Sequence, residues 1–475
     1  MTKKNLKIFL IMKYLYKISL LFFLNFTLFC DGSYGETQQI SDSSIKINLE
    51  DELKKGNFLI GLKQYLGAKN KNNPNNKNLL FESEDYLKLN STNGISHRSK
   101  SIQISWEKVP LQKPKIIERL VLGPFASYES AKRKSDLLNL AGFAPIIVYP
   151  DQWELWLPIN ASAAKKYNFQ PKKFVYKSLN TPFLTNEFVN QKLEGVISIS
   201  SKKNIKINNV SFGKYFFLVK DSYGTWSLIQ RLSFDKYLEG VLPHEIGANS
   251  PLEALKAQAI IARTWALYNS DRFKNDKYHL CITTQCQVYK PYFKTNESIK
   301  KAISQTNGLI LTSDNKPINA FYHASNGGII ASSSESWQMR DYSYFQPKFD
   351  LINSNNNGMI LPFKDALQIE NFLKNKKINF LGNNHYLFRW EKTISSSEIN
   401  NLLVKNKLVI NAKKISNIKV IERGFSGRVT KLAIFRDKES KPFVLIKDDI
   451  RRYLRFLPSN LFIIDKLNDN FWIFK

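Results

Sequence analysis

Residues 237–267 read YLEGVLPHEIGANSPLEALKAQAIIARTWAL, and the fold around them is decided by how this stretch is read. Its second half predicts a helix. Ser250 suits an N-cap, Pro251 suits the first helical position, and Glu253 completes a Ser-x-x-Glu capping box. Leu252, Leu255, Ala259, Ala262 and Ala266 recur at helical spacing and form one apolar stripe. The many alanines let another backbone come close, which predicts a central helix. Lys256 and Arg263 project from about the same face and call for an anionic partner, either a substrate group or a structural carboxylate.

Glu245 lies in the loop ahead of that helix, among Pro243, Ile246 and Gly247. A carboxyl group held against apolar surface has a raised pKa and can act as a general acid, whereas a nearby helix N-terminus pulls the other way. On local chemistry alone, Glu245 is either a catalytic acid or a capping or ion-paired glutamate.

Upstream, residues 160–240 read as β-rich, with short strands at 196–199 and 215–219 and a turn at 221–224. Residues 101–160 predict a small α+β module. Ile102, Ile104 and Trp106 share one strand face, and Ser127 caps a helix that Gly142 stops. Strands follow at 144–149 and 153–157. Residues 36–100 read as a polar, largely irregular linker, with the Asn-rich run 69–77 at its centre.

The N-terminus reads as an export signal over residues 1–35. Lys3, Lys4, Lys7, Lys13 and Lys17 precede the apolar run Ile18–Phe29, and Ser33 and Gly35 are small residues ahead of a cut before Glu36. That run is short for a membrane span, so membrane attachment is expected only through an uncleaved signal anchor. The expected location is outside the cytoplasm, in the periplasm or cell envelope.

A hydrophobic content of 43% over 475 residues is enough for two or three packed domains and excludes a disordered chain. The net charge of +30 must face an anionic polymer or surface, or be carried as a solvated exterior. Nucleic acid is excluded as the partner, because no nucleic-acid motif accompanies the charge and the export signal argues against it. Three cysteines, one of them inside the signal, are too few for a disulfide scaffold. His279, Cys281 and Cys286 fall within eight residues. They leave open a structural zinc with His244 or His323 as fourth ligand, a Cys281–Cys286 disulfide, or two free thiols.

The pattern Tyr-Leu-x-Gly-Val-x-Pro-x-Glu at 237–245, followed by Leu-Glu-Ala-Leu-Lys-Ala-Gln-Ala and Ala-Arg-Thr-x-Ala, resembles the central signature of the SpoIID/LytB family. That family comprises stage II sporulation protein D-like lytic transglycosylases and amidase enhancers. The resemblance implies an α+β, β-rich domain over 161–475 with a central Ala-rich helix. It implies Glu245 as the single acid of a lytic transglycosylase that cleaves peptidoglycan glycan and leaves 1,6-anhydro ends. No cofactor is required for that reaction. A cell-wall amidase is the partner if the chain is instead a non-catalytic enhancer. Lys256, Gln258 and Arg263 match positions that line or support the glycan groove. The Cys286–Tyr289 run resembles the family's next segment. His323, Ser325, Gly327 and Gly328 resemble its Gly-Gly turn, expected to admit a sugar. Two departures stand out: Ile246-Gly247 replaces the usual Met-Pro, and the family's Gly-His-Gly-Val-Gly segment does not appear before Lys475. Separately, Gly123-Pro124-Phe125 with Ser127 and Ala131 resembles a SPOR (sporulation-related repeat) module over 101–160, which implies binding of glycan stripped of its peptides.

Overall fold

A computed structural model describes residues 46–67, 78–162, 164–186, 190–291, 297–352, 359–363, 365–375 and 379–475. The expected export signal over 1–35 and the run 69–77 lie outside these. The fold is α+β and β-rich, and it divides into two units, residues 1–117 with 173–321 and residues 118–172 with 322–475.

The first unit is built on a sheet. Its strands run in the order Leu280–Cys281, Asn57–Leu66, Trp226–Ser233, Tyr215–Lys220, Ile197–Ser200, Asn78–Ser91 and the first part of Ser96–Phe125. All neighbours are antiparallel except Leu280–Cys281 beside Asn57–Leu66. Two strands of this sheet come from the segment expected to be an irregular linker, and that expectation is corrected. Phe58, Leu59 and Ile60 form a continuous apolar run and are fully buried, as are Leu79, Phe81, Leu87 and Leu89. Asn57–Leu66 is buried on both faces over much of its length, so its sequence lacks polar alternation, whereas Asn78–Ser91 alternates at both ends.

Ile102, Ile104 and Trp106 are buried together, as their alternation requires. Against this sheet pack the helices Phe234–Leu242, Leu252–Tyr268 and Glu297–Gln305, through Leu238, Val241, Leu255, Ala259, Ala262 and Ile299.

In the second unit, Ser127 caps the helix Tyr128–Leu140 by accepting the Ser130 N–H at 3.2 Å. Gly142 follows at φ 85° and ends it. Strand Ile146–Val148 pairs with Trp153–Pro158, which pairs with residues 119–125. The remainder holds two three-stranded sheets. One contains Ile415–Arg423, Val429–Arg436 and Phe443–Ile446; the other contains Lys392–Ser395, Phe471–Phe474 and Ile464–Lys466. Between them in sequence, Ser395 and Glu398 form a capping box that opens the helix Ser396–Lys405.

Candidate active site

The acid sits on a bend between two helices. Phe234–Leu242 ends at Pro243, and Pro243–Gly247 continues as one wider turn of π-helix. Such turns are uncommon and gather at functional sites. Gly247 closes it at φ 88°, a conformation a side chain would resist. Glu245 therefore rides on a short irregular turn, half-buried, with the long helix Leu252–Tyr268 following.

That helix starts differently from its sequence expectation. The Ser250 hydroxyl donates back to the Ile246 carbonyl at 2.6 Å, Pro251 takes the N-cap position, and no side-chain cap forms. Glu253 pairs instead with Lys256 at 2.7 Å. The shared cationic face of Lys256 and Arg263 also separates. Lys256 stays at the surface with Glu253, while Arg263 is buried and donates from Nη1 to the Leu309 carbonyl at 3.0 Å. Burial lowers the Arg263 pKa, with Asp235 opposing. Arg263 Nη2 and Gln258 Nε2 are buried without a partner among the described residues.

The segment 287–290 holds the acid in place. The Val288 N–H donates to Glu245 Oε1 at 2.9 Å. Tyr237 donates to Gln287 Oε1 at 2.8 Å, and the Lys290 N–H donates to the Gly240 carbonyl at 3.2 Å. Tyr289 lies over Gly240, where a Cβ would come within 2.3 Å of its ring. Glu245 Oε2 accepts no hydrogen bond from the described residues. Partial desolvation, with Lys290 next and Glu245 opposing, keeps the neighbouring His244 imidazole below its ordinary pKa. In the sequence the Cys-Gln-Val-Tyr run is visible only as a family resemblance, without a role. The available signal was Gly240, a glycine inside a helix, which marks a close approach.

Of the three alternatives for the cysteines, the structure adopts the disulfide. Cys281 and Cys286 are bonded, with Cα atoms 5.7 Å apart. His279 does not join them. Its Nδ1 accepts the Leu59 N–H at 2.9 Å, its Nε2 lies 3.1 Å from the Leu49 carbonyl, and its ring stacks on Phe58. Among the described residues no group of three or more His, Cys, Asp or Glu could hold a metal.

His323, Ser325, Gly327 and Gly328 belong to the second unit. His323 is exposed, and Ser325 Oγ accepts the Gly327 N–H at 3.3 Å. The Gly-Gly turn is closely packed on one side. A Cβ on Gly328 would meet the face of Phe380 at 2.9 Å, and Arg389 Nη1 donates to the Gly327 carbonyl at 2.8 Å.

A glutamate on a π-turn, braced by a disulfide-closed loop and backed by an antiparallel sheet, makes Glu245 the candidate acid of an α+β domain. Residues 222–313 match the family model of the stage II sporulation protein SpoIID, so this segment is similar to that family. Residues 331–475 match a different model, a domain of unknown function named DUF8618, so the SpoIID match ends well before the expected boundary at 475.

Over 100 residues the chain is 40% identical to the amidase enhancer of Bacillus subtilis (strain 168), covering 21% of this chain and 13% of that protein. Over 124 residues it is 30% identical to stage II sporulation protein D of the same organism, covering 23% of this chain and 36% of the relative. An uncharacterised protein of Brachyspira hyodysenteriae (strain ATCC 49526 / WA1) is 26% identical over 280 residues, covering 58% of this chain and 65% of the relative. The chain thus spans less than two thirds of each of these relatives. No helix among the described residues is long and apolar enough to cross a membrane.

Proposed function

We propose that this chain is an exported lytic transglycosylase that cleaves the bond between N-acetylmuramic acid and N-acetylglucosamine in peptide-stripped peptidoglycan. The observation carrying this reading is the Glu245 carboxylate, with one oxygen held by the Val288 N–H and the other unpaired among the described residues. In its protonated form Glu245 delivers the proton from that unpaired oxygen to the glycosidic oxygen as the sugar–oxygen bond breaks. The muramyl 6-hydroxyl then attacks the anomeric carbon, and Glu245 takes up the hydroxyl proton. The product ends in a 1,6-anhydro ring. No water is consumed and no second carboxylate is needed, unlike the two-carboxylate glycosidases. The reaction needs no cofactor. Gln258 and Arg263, each with a buried unpaired nitrogen, support the groove from the long helix. The part of the SPOR-like segment in the second unit, residues 118–160, holds the bare glycan, and the basic exterior favours an anionic wall.

A second reading draws on the relative named an amidase enhancer. In it the same domain binds glycan without cutting it and stimulates a cell-wall amidase. Purified protein incubated with denuded glycan strands separates the two. Anhydro-ended products that disappear in Glu245→Gln support the first reading. Products that persist unchanged in that variant remove Glu245 from the chemistry. Absence of products together with stimulation of an amidase supports the second.

A further inference from the structure

The second unit contains a cavity of 420 Å³, separate in sequence from the acid and its helices. Among the described residues its walls include Pro362, Phe363, Ile369 and Phe425, and two charged ones reach it, Arg423 and Asp365. The wall is built with care for space. Gly427 lies at φ 80°, and a Cβ there would meet the Phe363 ring at 3.0 Å.

Arg423 stands at the end of the strand Ile415–Arg423 and is half-buried. It donates one hydrogen bond, from Nη1 to the Gly427 carbonyl at 2.8 Å. Burial alone brings its guanidinium pKa down to about 10, with no carboxylate offsetting it. Among the described residues its other nitrogens make no hydrogen bond. Partly desolvating a guanidinium without a counter-charge is costly, and a carboxylate recovers that cost through two parallel hydrogen bonds. Asp365 caps the helix Ala366–Lys374 by accepting the Gln368 N–H on Oδ1 at 2.8 Å, and it is exposed. Its other oxygen can receive an ammonium group.

We infer that this cavity binds a short zwitterionic peptide or amino acid with apolar side chains. Arg423 takes the carboxylate, Asp365 faces the ammonium end, and Phe363, Ile369 and Phe425 cover the side chains. The volume sits near the small end of ligand pockets, which fits one or two residues.

The test is calorimetric titration of the full chain with leucyl-leucine, its C-terminal amide and its N-acetyl form. Leucyl-leucine is expected to bind. Amidation is expected to weaken it by about tenfold or more, and acetylation by less. Arg423→Gln is expected to weaken the free dipeptide as much as amidation does, with no further loss when the two are combined. Phe425→Ala, at an exposed ring, is expected to weaken all three ligands equally while leaving the fold intact. Failure of leucyl-leucine to bind at millimolar concentration overturns the inference. So does equal binding of dipeptide and amide, which keeps the test decisive even if Arg423→Gln does not fold.

Discussion

The Val288 main-chain N–H reaches Glu245 Oε1 at 2.9 Å, so a residue 43 positions further along the chain aims the acid. A backbone donor has no rotamer freedom of its own, and it fixes the carboxylate's orientation at little entropic cost. The donor is itself held, through Tyr237 to Gln287 and through the Lys290 N–H to the Gly240 carbonyl. The acid and its brace therefore form one unit of packing.

Gly240 is the narrowest point of that unit. A methyl group there would lie 2.3 Å from the Tyr289 ring and 2.8 Å from the Lys290 carbonyl. Neither can yield without moving Val288. Gly240→Ala is therefore expected to destabilise the domain by about 1–3 kcal/mol, the usual range for overpacking. It should also lower glycan cleavage beyond what the stability loss explains. Urea denaturation alongside product formation at a temperature where both proteins are folded checks this. Unchanged activity in a folded Gly240→Ala protein would show that Val288 does not position Glu245.

The Cys281–Cys286 disulfide closes the turn that leads into this brace, where the Cys286 N–H also bonds to the Thr283 carbonyl at 2.8 Å. A loop this short loses little chain entropy, so the bond should contribute about 2 kcal/mol. Reduction, or the paired change to serine, is expected to lower the melting temperature by several degrees. The effect on cleavage should be larger than in a variant of equal stability altered elsewhere. Melting curves with and without reductant give the first number, and product yield gives the second.

How far the sequence reveals this arrangement depends on where each contact lies in the chain. The helix Leu252–Tyr268 is legible because Leu255, Ala259, Ala262 and Ala266 repeat locally. Its start is not, because Ser250 turns its hydroxyl back to Ile246 and Glu253 finds Lys256. The Ser127 and Ser395 caps are legible for the same local reason. The strand Asn57–Leu66 is hidden, since its partners lie at 226–233 and 280–281 and its two buried faces erase the alternation. Glu245 stands out through its motif. The Val288 donor does not, because a backbone N–H carries no residue identity. The cysteine pair is visible as a pair, but whether it meets a metal depended on His279, whose ring the Leu59 N–H already occupies.

The Gly327-Gly328 turn tests whether glycine there serves packing. Gly328 has φ 94° and no room for a Cβ against Phe380. Gly328→Ala combines backbone strain with overpacking and is expected to cost about 2–3 kcal/mol. Gly142→Ala, at φ 85° with open space around it, carries the backbone strain alone and should cost about 1 kcal/mol. Chemical denaturation of the two variants side by side checks the difference. Equal losses would mean that Phe380 does not press on the turn.

The second unit should also become less stable as pH rises, because of one carboxyl pair. The Ser127 and Ser130 hydroxyls both donate to Asp448 Oδ2 at 2.6 Å. Gln338 Nε2 lies 3.4 Å from Asp448 Oδ1 and 3.3 Å from Asp449 Oδ2. Burial, and then the adjacent Asp448 charge, push Asp449 up from 3.8 to about 7. A carboxyl group with a raised native pKa holds a proton that the unfolded chain releases. Between pH of about 4 and about 7 the native state binds more protons, so stability falls as pH rises and levels off above the native pKa. With partial exposure discounted, the loss is about 1–3 kcal/mol. Asp449→Asn removes that proton and the charge that follows it. The variant should match the parent near pH 4 and exceed it at pH 8, with Asp448 left to its serine donors. Urea midpoints of both proteins from pH 4 to 8 decide the matter. Parallel curves across that range would place the Asp449 proton outside the folding equilibrium.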